Sequence, residues 1–205
     1  MKRIPDIAVS RLPLYLRTFM LLEREGVEFI NSKELGERIG IIPAQIRKDL
    51  SYFGRFGKQG KGYPVRKIIP EIRRILGLDR EWKVILVGVG RLGKAILRYG
   101  GFESGEFRII CAFDISPEII GKRVGNVLVR HVSELKDFVK REDVKIGIVA
   151  VPYEEAQKVI DLLVDAGIKA ILNYVPIGAK VPAGVRIKEI DPIMALEAMT
   201  FYLVD

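Results

Sequence analysis

The sequence predicts an α/β chain in two parts: a small helical domain carrying a hairpin wing, then a mostly parallel sheet wrapped in helices. Three observations carry that prediction. Residues 1–80 hold 17 Lys and Arg against 9 Asp and Glu, whereas residues 81–205 hold 17 of each, so the whole excess of +8 lies at the front. The front part reads as short helices joined by tight turns, while from Lys83 onward short β-branched runs alternate with helical segments. A glycine-rich turn, GVGRLG at 88–93, stands where the first of those runs gives way to a helix.

With 205 residues and 49% apolar content, the chain can build its own cores. Its single cysteine, Cys111, excludes an internal disulfide framework, and with one histidine, His131, no Cys/His zinc spacing exists. No metal is expected, and a reducing, cytoplasmic setting fits. The longest apolar stretches, such as Ile146 to Pro152, are strand-sized and far short of the roughly 20 residues that span a bilayer, so no membrane partner is expected.

Within the basic part, residues 1–80, the segment Ile4 to Arg24 has the apolar spacing of an amphipathic helix and should end at Gly26. Asn31 or Ser32 can cap a second helix, SKELGERIG, that Gly40 closes. Pro43 suits the start of a third, AQIRKDLSYFG, which turns Ile46, Leu50 and Phe53 to one side and Gln45, Arg47, Lys48 and Ser51 to the others. Two short helices meeting through a tight turn, the second basic, form a helix-turn-helix. The following GRFGKQGKGYPV suits a β-hairpin wing whose glycines allow close approach to a backbone, and a last helix ending IRRILGLD completes a winged helix. Double-stranded DNA is the expected partner, because neutralised phosphates release condensed counterions. Gln45, Arg47, Lys48 and Ser51 would face the groove, and Lys58 and Lys61 would reach phosphate or the minor groove. Tyr52 could contact DNA or pack beneath the helix.

In residues 81–190 the predicted strands are 83–87, 107–113, 127–129, 145–151, 170–175 and 185–190, with RLGKAILRY, SELKDFVKR and EEAQKVIDLLVDAG as intervening helices. GVGRLG follows a strand, opens a helix, and precedes Asp114 at the end of the next strand by 21 positions, counted from Gly93. This context makes a Rossmann-like, doubly wound, dinucleotide-binding sheet the expected fold. Gly88 permits the tight turn, Gly90 the approach of a pyrophosphate, and Gly93 close packing of helix on strand; Val89, Arg91 and Leu92 complete the loop. Asp114 would accept from an adenine-ribose hydroxyl and repel a 2′-phosphate, which favours NAD over NADP.

Nothing in the sequence turns that cofactor over. The nucleotide fold consumes about 120 residues and leaves no substrate domain. His131 is expected to cap or pack against its loop, Lys94 and Tyr99 lack the spacing of a short-chain dehydrogenase pair, and Cys111 lies inside a strand as inert core. No catalytic residue is assigned, and the bound nicotinamide would be a signal. The competing classes are a small NAD-dependent oxidoreductase, which leaves the charge excess unexplained, and a CoA-binding domain of the ligase type, which has no need of Asp114.

Residues 191–205 form the third segment. Asp191 and Pro192 suit the N-cap and first position of a helix, IMALEAMTFYLV, whose one interior charge is Glu197. So apolar a helix must be buried against its own domain or another subunit, and a dimer through it would present two reading heads to a two-fold operator.

Along its full length the chain resembles the redox-sensing transcriptional repressors of the Rex family, most specifically at SRLPLYLR, QIRKDLSYFG, GKQGKGYPV, GVGRLGKA, VPYEEAQKV and ILNYVP. The resemblance implies a homodimer with exchanged C-terminal helices that binds a palindromic operator when free or with NAD+ and leaves it with NADH. It adds Val151, Pro152, Asn173, Tyr174 and Tyr99 to the cofactor-binding residues. It also implies a switch network of Arg17, Tyr99 and Asp191 near the nicotinamide, although Pro192 stands where the family often has a bulky apolar residue. An apolar pocket near Tyr174 and Pro176 would favour the neutral dihydronicotinamide, because burying an unpaired cationic ring is costly. Taking a two-state dimer from 1:99 to 99:1 requires about 5.5 kcal/mol of differential affinity.

Overall fold

The structure, a computed structural model, describes residues 4–102 and 105–204. Residues 1–3 and 205, at the outer ends of the first and third predicted segments, lie outside it. The chain forms two compact units, residues 1–80 and 81–205.

The first unit runs α1 (Asp6–Arg24), β1 (Phe29–Ile30), α2 (Ser32–Ile39), α3 (Pro43–Ser51), β2 (Tyr63–Pro64) and α4 (Val65–Ile75). Asn31 is the cap of α2: its side chain accepts from the Lys33 and Glu34 N–H groups at 2.9 and 3.0 Å, and the Glu34 carboxylate accepts from the Asn31 N–H. Gly40 ends α2 in the left-handed region, and Pro43 opens α3. Leu12, Tyr15, Phe19 and Leu22 of α1, Leu35 of α2, Ile46 and Leu50 of α3 and Ile68 and Ile72 of α4 close into one core, with Phe53 half-buried against it. The wing differs from the expected hairpin. Its tip is one bridge, Lys58 to Gly62, and its base is β2 paired antiparallel with β1, Ile30 opposite Tyr63. Four glycines in nine residues supply no side chains to stabilise a longer ladder, so the loop is held at its foot.

The second unit runs β3 (Trp82–Val87), α5 (Arg91–Leu97), β4 (Phe107–Asp114), β5 (Arg123–Val124), β6 (Val127–His131), α6 (Leu135–Glu142), β7 (Ile146–Val149), α7 (Ala156–Ala166), β8 (Ala170–Asn173), β9 (Arg186–Glu189) and α8 (Pro192–Thr200). The sheet order is β5-β6-β4-β3-β7-β8-β9, parallel except for β5 against β6. Strand order reverses between β3 and β7, and the crevice beyond that reversal is where doubly wound sheets bind ligands. Along β3, Ile85 and Val87 join α6 and α7 in one core, and Val84 and Leu86 join α5 in the other. This period of two explains why the strand reads as continuously apolar.

Helix α8 starts as expected, with Asp191 accepting from the Ile193 N–H at 2.9 Å and Pro192 at the first position. None of its residues is buried in the single chain; Met194 and Met199 are 63% and 60% exposed. The connection from β8 to β9 carries no helix, so the sheet face that holds α5 keeps an apolar groove of about 340 Å³, lined by Val84, Ile146, Ile148, Leu172 and Ile187. Among the described residues no helix is long and apolar enough to cross a membrane.

Candidate functional site: a dinucleotide cleft and a cationic helix face

At the carboxyl ends of β3, β4, β7 and β8 the second unit opens a cleft of about 480 Å³. Its floor is the glycine loop. Gly88 has φ +95°, and a Cβ there would collide with the Ala150 carbonyl, so the turn after β3 and its approach to the end of β7 both require glycine. A Cβ on Gly93 would strike the Gly88 carbonyl, which seats α5 tightly on the loop. Gly90 is different. A Cβ built there meets nothing within 4 Å, so what glycine preserves at that position is open space above the backbone. That is the cradle a pyrophosphate needs, and the residues present fit the dinucleotide that the sequence motif implies.

Asp114 plays a part beyond its expected one. Its Oδ2 accepts from the Val89 N–H at 2.6 Å, and its Oδ1 from the Ile115 and Ser116 N–H groups at 2.8 Å each. The carboxylate first clamps the glycine loop to the end of β4. Of about four acceptor positions on a carboxylate, that leaves one for a ribose hydroxyl.

The other walls are apolar, from Val132, Val151, Pro152, Val159, Tyr174 and Val175, with Arg91 and Glu155 at the edges. Glu155 is paired with Lys158 at 3.1 Å. A second hollow, about 540 Å³ around Lys83 and Arg108 at the opposite end of the sheet, has no glycine loop, and its two cations are paired with Glu142 and Glu81.

In the first unit, the exposed side of α3 and the wing is purely cationic. Between Arg38 and Pro70 the only carboxylate is Asp49, and it is fully buried. Arg47, Lys48, Arg55, Lys58, Lys61, Arg66 and Lys67 are all exposed, and among the described residues none has a carboxylate partner. Arg47 donates to the Ser32 hydroxyl at 2.8 Å and shares a concavity of about 530 Å³ with Ser32, Lys58 and Gly60, so α3 and the wing tip frame one surface.

A family model described as a putative DNA-binding protein N-terminus matches residues 3–51, and one described as a CoA binding domain matches residues 79–177. Over 199 residues the chain is 49% identical to the redox-sensing transcriptional repressor Rex of Chloroflexus aggregans, covering 97% of this chain and 94% of that one. The chain belongs to the Rex family. Rex of Streptomyces coelicolor is 41% identical over 97% of this chain and 77% of its own. The crystal structure of RSP in complex with beta-NAD+ and operator DNA matches with a TM-score of 0.92 at 38% identity, covering 99% of this chain and 94% of that one. The complex of RSP with beta-NADH matches with a TM-score of 0.88 at 36% identity, over 99% and 95%. These relatives span both units, including the segment that the CoA-binding description covers.

Of the residues expected to hold the dinucleotide in this Rex chain, Gly88, Gly90, Arg91, Leu92, Asp114, Val151, Pro152 and Tyr174 line the cleft. Val89, Gly93, Asn173 and Tyr99 do not. Val89 is core, and Gly93 is pressed beneath Gly88. The fully buried Asn173 directs its amide to the Val175 backbone, donating to its carbonyl at 2.6 Å and accepting from its N–H at 3.0 Å, so it shapes the strand end that places Tyr174. Tyr99 is 65% exposed, edge-on to Phe102. Arg17 is exposed on α1, and Asp191 caps α8.

Of the residues expected to meet DNA, Arg47, Lys48, Ser51, Lys58 and Lys61 are exposed, whereas Gln45 and Tyr52 are half-buried. Gln45 donates its amide N–H to Asp49 at 2.7 Å. His131, exposed, accepts from the Ser133 N–H and caps the turn that follows, and burial pushes the thiol of the core residue Cys111 up to about 11.

The sequence reading missed Asp49. Its carboxylate takes two hydrogen bonds from Arg11 at 2.5 and 2.8 Å and one from Tyr15 at 2.6 Å, besides that of Gln45. The available signal was its position: at i+3 from Ile46 and one before Leu50, it falls on the apolar side of α3, where a bare carboxylate is not tolerated.

Proposed function

We propose that the chain is a DNA-binding transcriptional repressor that senses the NADH/NAD+ ratio, holding its operator when free or with NAD+ and losing it with NADH. The observation that carries this reading is the match over both units to a relative described with NAD+ and operator DNA, on a chain that pairs an exposed cationic helix and wing with a glycine loop open at Gly90. Arg47, Lys48, Ser51, Tyr52 and Gln45 read or seat on the groove, and Lys58 and Lys61 take phosphate. Gly88, Gly90, Arg91 and Leu92 hold the pyrophosphate region, Asp114 the adenine ribose, and Val151, Pro152 and Tyr174 the nicotinamide. Val89, Gly93 and Asn173 serve the same site from behind. Arg17, Tyr99 and Asp191 form the switch. No residue is assigned to catalysis, and the working compartment is the cytoplasm.

The operator-binding form is a homodimer in which α8 of each subunit fills the apolar groove of its partner. Two complementary features support the exchange: a helix with no buried residue, and a sheet face without its covering helix.

The test is retention of a fluorescent palindromic duplex by the full chain during separate titrations with NADH, NAD+ and CoA. Release by NADH alone is the expected result. Turnover of NADH with a small carbonyl substrate would instead place the chain among oxidoreductases, and release by CoA would place it among CoA-binding proteins.

A further inference from the structure

A carboxylate buried beneath a DNA-reading helix has a consequence for what that helix reads. Asp49 accepts hydrogen bonds and cannot donate them while it is ionised. Two bonds from the Arg11 guanidinium and one from the Tyr15 hydroxyl hold it in that state and fix its place against α1. The fourth hydrogen bond comes from Gln45, one turn earlier on α3, whose side-chain nitrogen stands 2.7 Å from Asp49 Oδ1. Because the carboxylate has no proton to give, the Gln45 amide can present only its nitrogen end to Asp49. Its orientation is therefore chemically determined. The carbonyl oxygen, Oε1, has no hydrogen-bond partner among the described residues and is left for whatever meets the half-exposed side chain, together with the second amide hydrogen.

We propose that Asp49 is a positioning residue for DNA sequence recognition: it locks the amide of Gln45 so that Oε1 is offered to the groove, selecting an exocyclic amino group on the base that Gln45 meets. In the major groove such donors are adenine N6 and cytosine N4, and with its remaining N–H Gln45 can complete the bidentate pair to adenine N6 and N7. A Gln free to rotate its amide could turn its nitrogen alone to the base and donate to a thymine or guanine acceptor equally well, so the buried carboxylate, by fixing Oε1 toward the groove, biases a permissive side chain toward bases that carry an amino donor. The proposal rests on the operator-binding reading above and goes beyond it by naming the residue that sets base preference without touching DNA.

The experiment is selection of bound duplexes from a library with randomised two-fold symmetric half-sites, using the full chain and its D49N and Q45M variants, followed by competition with single-base substitutions of the selected site. Wild type should show one symmetric position at which adenine or cytosine is preferred by about tenfold or more. Q45M leaves the Arg11 and Tyr15 donors to Asp49 in place and should lose that preference while the other positions of the selected site keep theirs. In D49N the new amide can donate to Oε1 and let Gln45 turn over, so the same position should relax or shift toward thymine or guanine while the rest of the site is retained. If Q45M retains the full wild-type preference, Gln45 reads nothing and the proposal is overturned. It is equally overturned if folded D49N, judged by unchanged affinity for unrelated duplex, selects the wild-type site. Should D49N not fold, the preferred base at the position lost in Q45M decides: a thymine or guanine there in the wild-type site overturns the amide assignment. Failure of wild type to select any site would count against the operator-binding reading itself.

Discussion

The Arg11 guanidinium grips the Asp49 carboxylate with two hydrogen bonds, at 2.5 and 2.8 Å, on the buried side of α3. Arg11 keeps 22% of its side-chain surface in water, whereas Asp49 keeps 1%, so removing one partner is not equivalent to removing the other. Truncating Arg11 strands a buried anion with only neutral donors. R11M should therefore cost about 3 kcal/mol, in the range for breaking a buried pair, and more than D49N, which removes the anion itself. Urea unfolding of the two variants, followed through the helical signal of the first unit, compares them directly.

The same pair gives the first unit an acid sensitivity of known sign. Burial pushes the Asp49 carboxyl up, but hydrogen bonds from Arg11, Tyr15 and Gln45 outweigh it and hold the group below its ordinary value. A carboxyl lowered on folding contributes stability that is fully present above its unfolded value, about 3.9, and is lost as pH falls through the folded one. Between pH 5 and 2, wild type should lose more stability than D49N, and parallel acid titrations of the two proteins would refute this if their slopes coincide.

Two of the loop glycines, Gly90 and Gly93, should fail in different ways. Gly90 has φ of −70° and open space at its Cβ position, so G90A should keep its melting temperature within a degree or two while NADH affinity falls at least tenfold. G93A drives a methyl into the Gly88 carbonyl and should cost about 1–3 kcal/mol of stability, as overpacking usually does. Thermal melts beside NADH titrations separate the two. A G90A protein that binds NADH normally would remove the pyrophosphate from that space.

Operator affinity should fall steeply with salt. Every phosphate that a substitution leaves unneutralised makes the slope of log K against log salt shallower by about 0.9, and in a homodimer one substitution exposes two phosphates. K58A and K61A should each lower that slope and weaken operator and unrelated duplex alike. An unchanged slope in both variants would take the wing off the backbone.

A charge in α8 tests the exchanged-helix dimer. Met199 is 60% exposed in the single chain, and M199D would bury a carboxylate in the partner's groove. Light scattering of the purified variant should show monomers at micromolar concentration, and a dimer indistinguishable from wild type would exclude α8 from the interface. Within an intact dimer, D191A should retain the operator and lose its release by NADH. Release at the wild-type NADH concentration would take Asp191 out of the switch.

Local chemistry made much of this molecule readable in advance. Asn31, Gly40, Pro43 and Asp191 mark helix ends because caps act within a few residues, and a central strand such as β3 reads clearly because both its faces carry apolar cores. Gly88 and Gly93 followed from the turn and the close packing their motif requires. What depended on residues distant in sequence was hidden: Asp49 looked like one more polar residue until α1 brought Arg11 and Tyr15 to it, Asn173 turned inward to its own strand end, and Asp114 reached back 25 residues to clamp Val89. The amino-acid order by itself settled the fold class, the cationic front and the nucleotide loop, since each is written in short-range pattern. Tertiary packing alone decided which polar groups point inward, because a buried carboxylate is permitted only where donors from elsewhere in the chain converge on it.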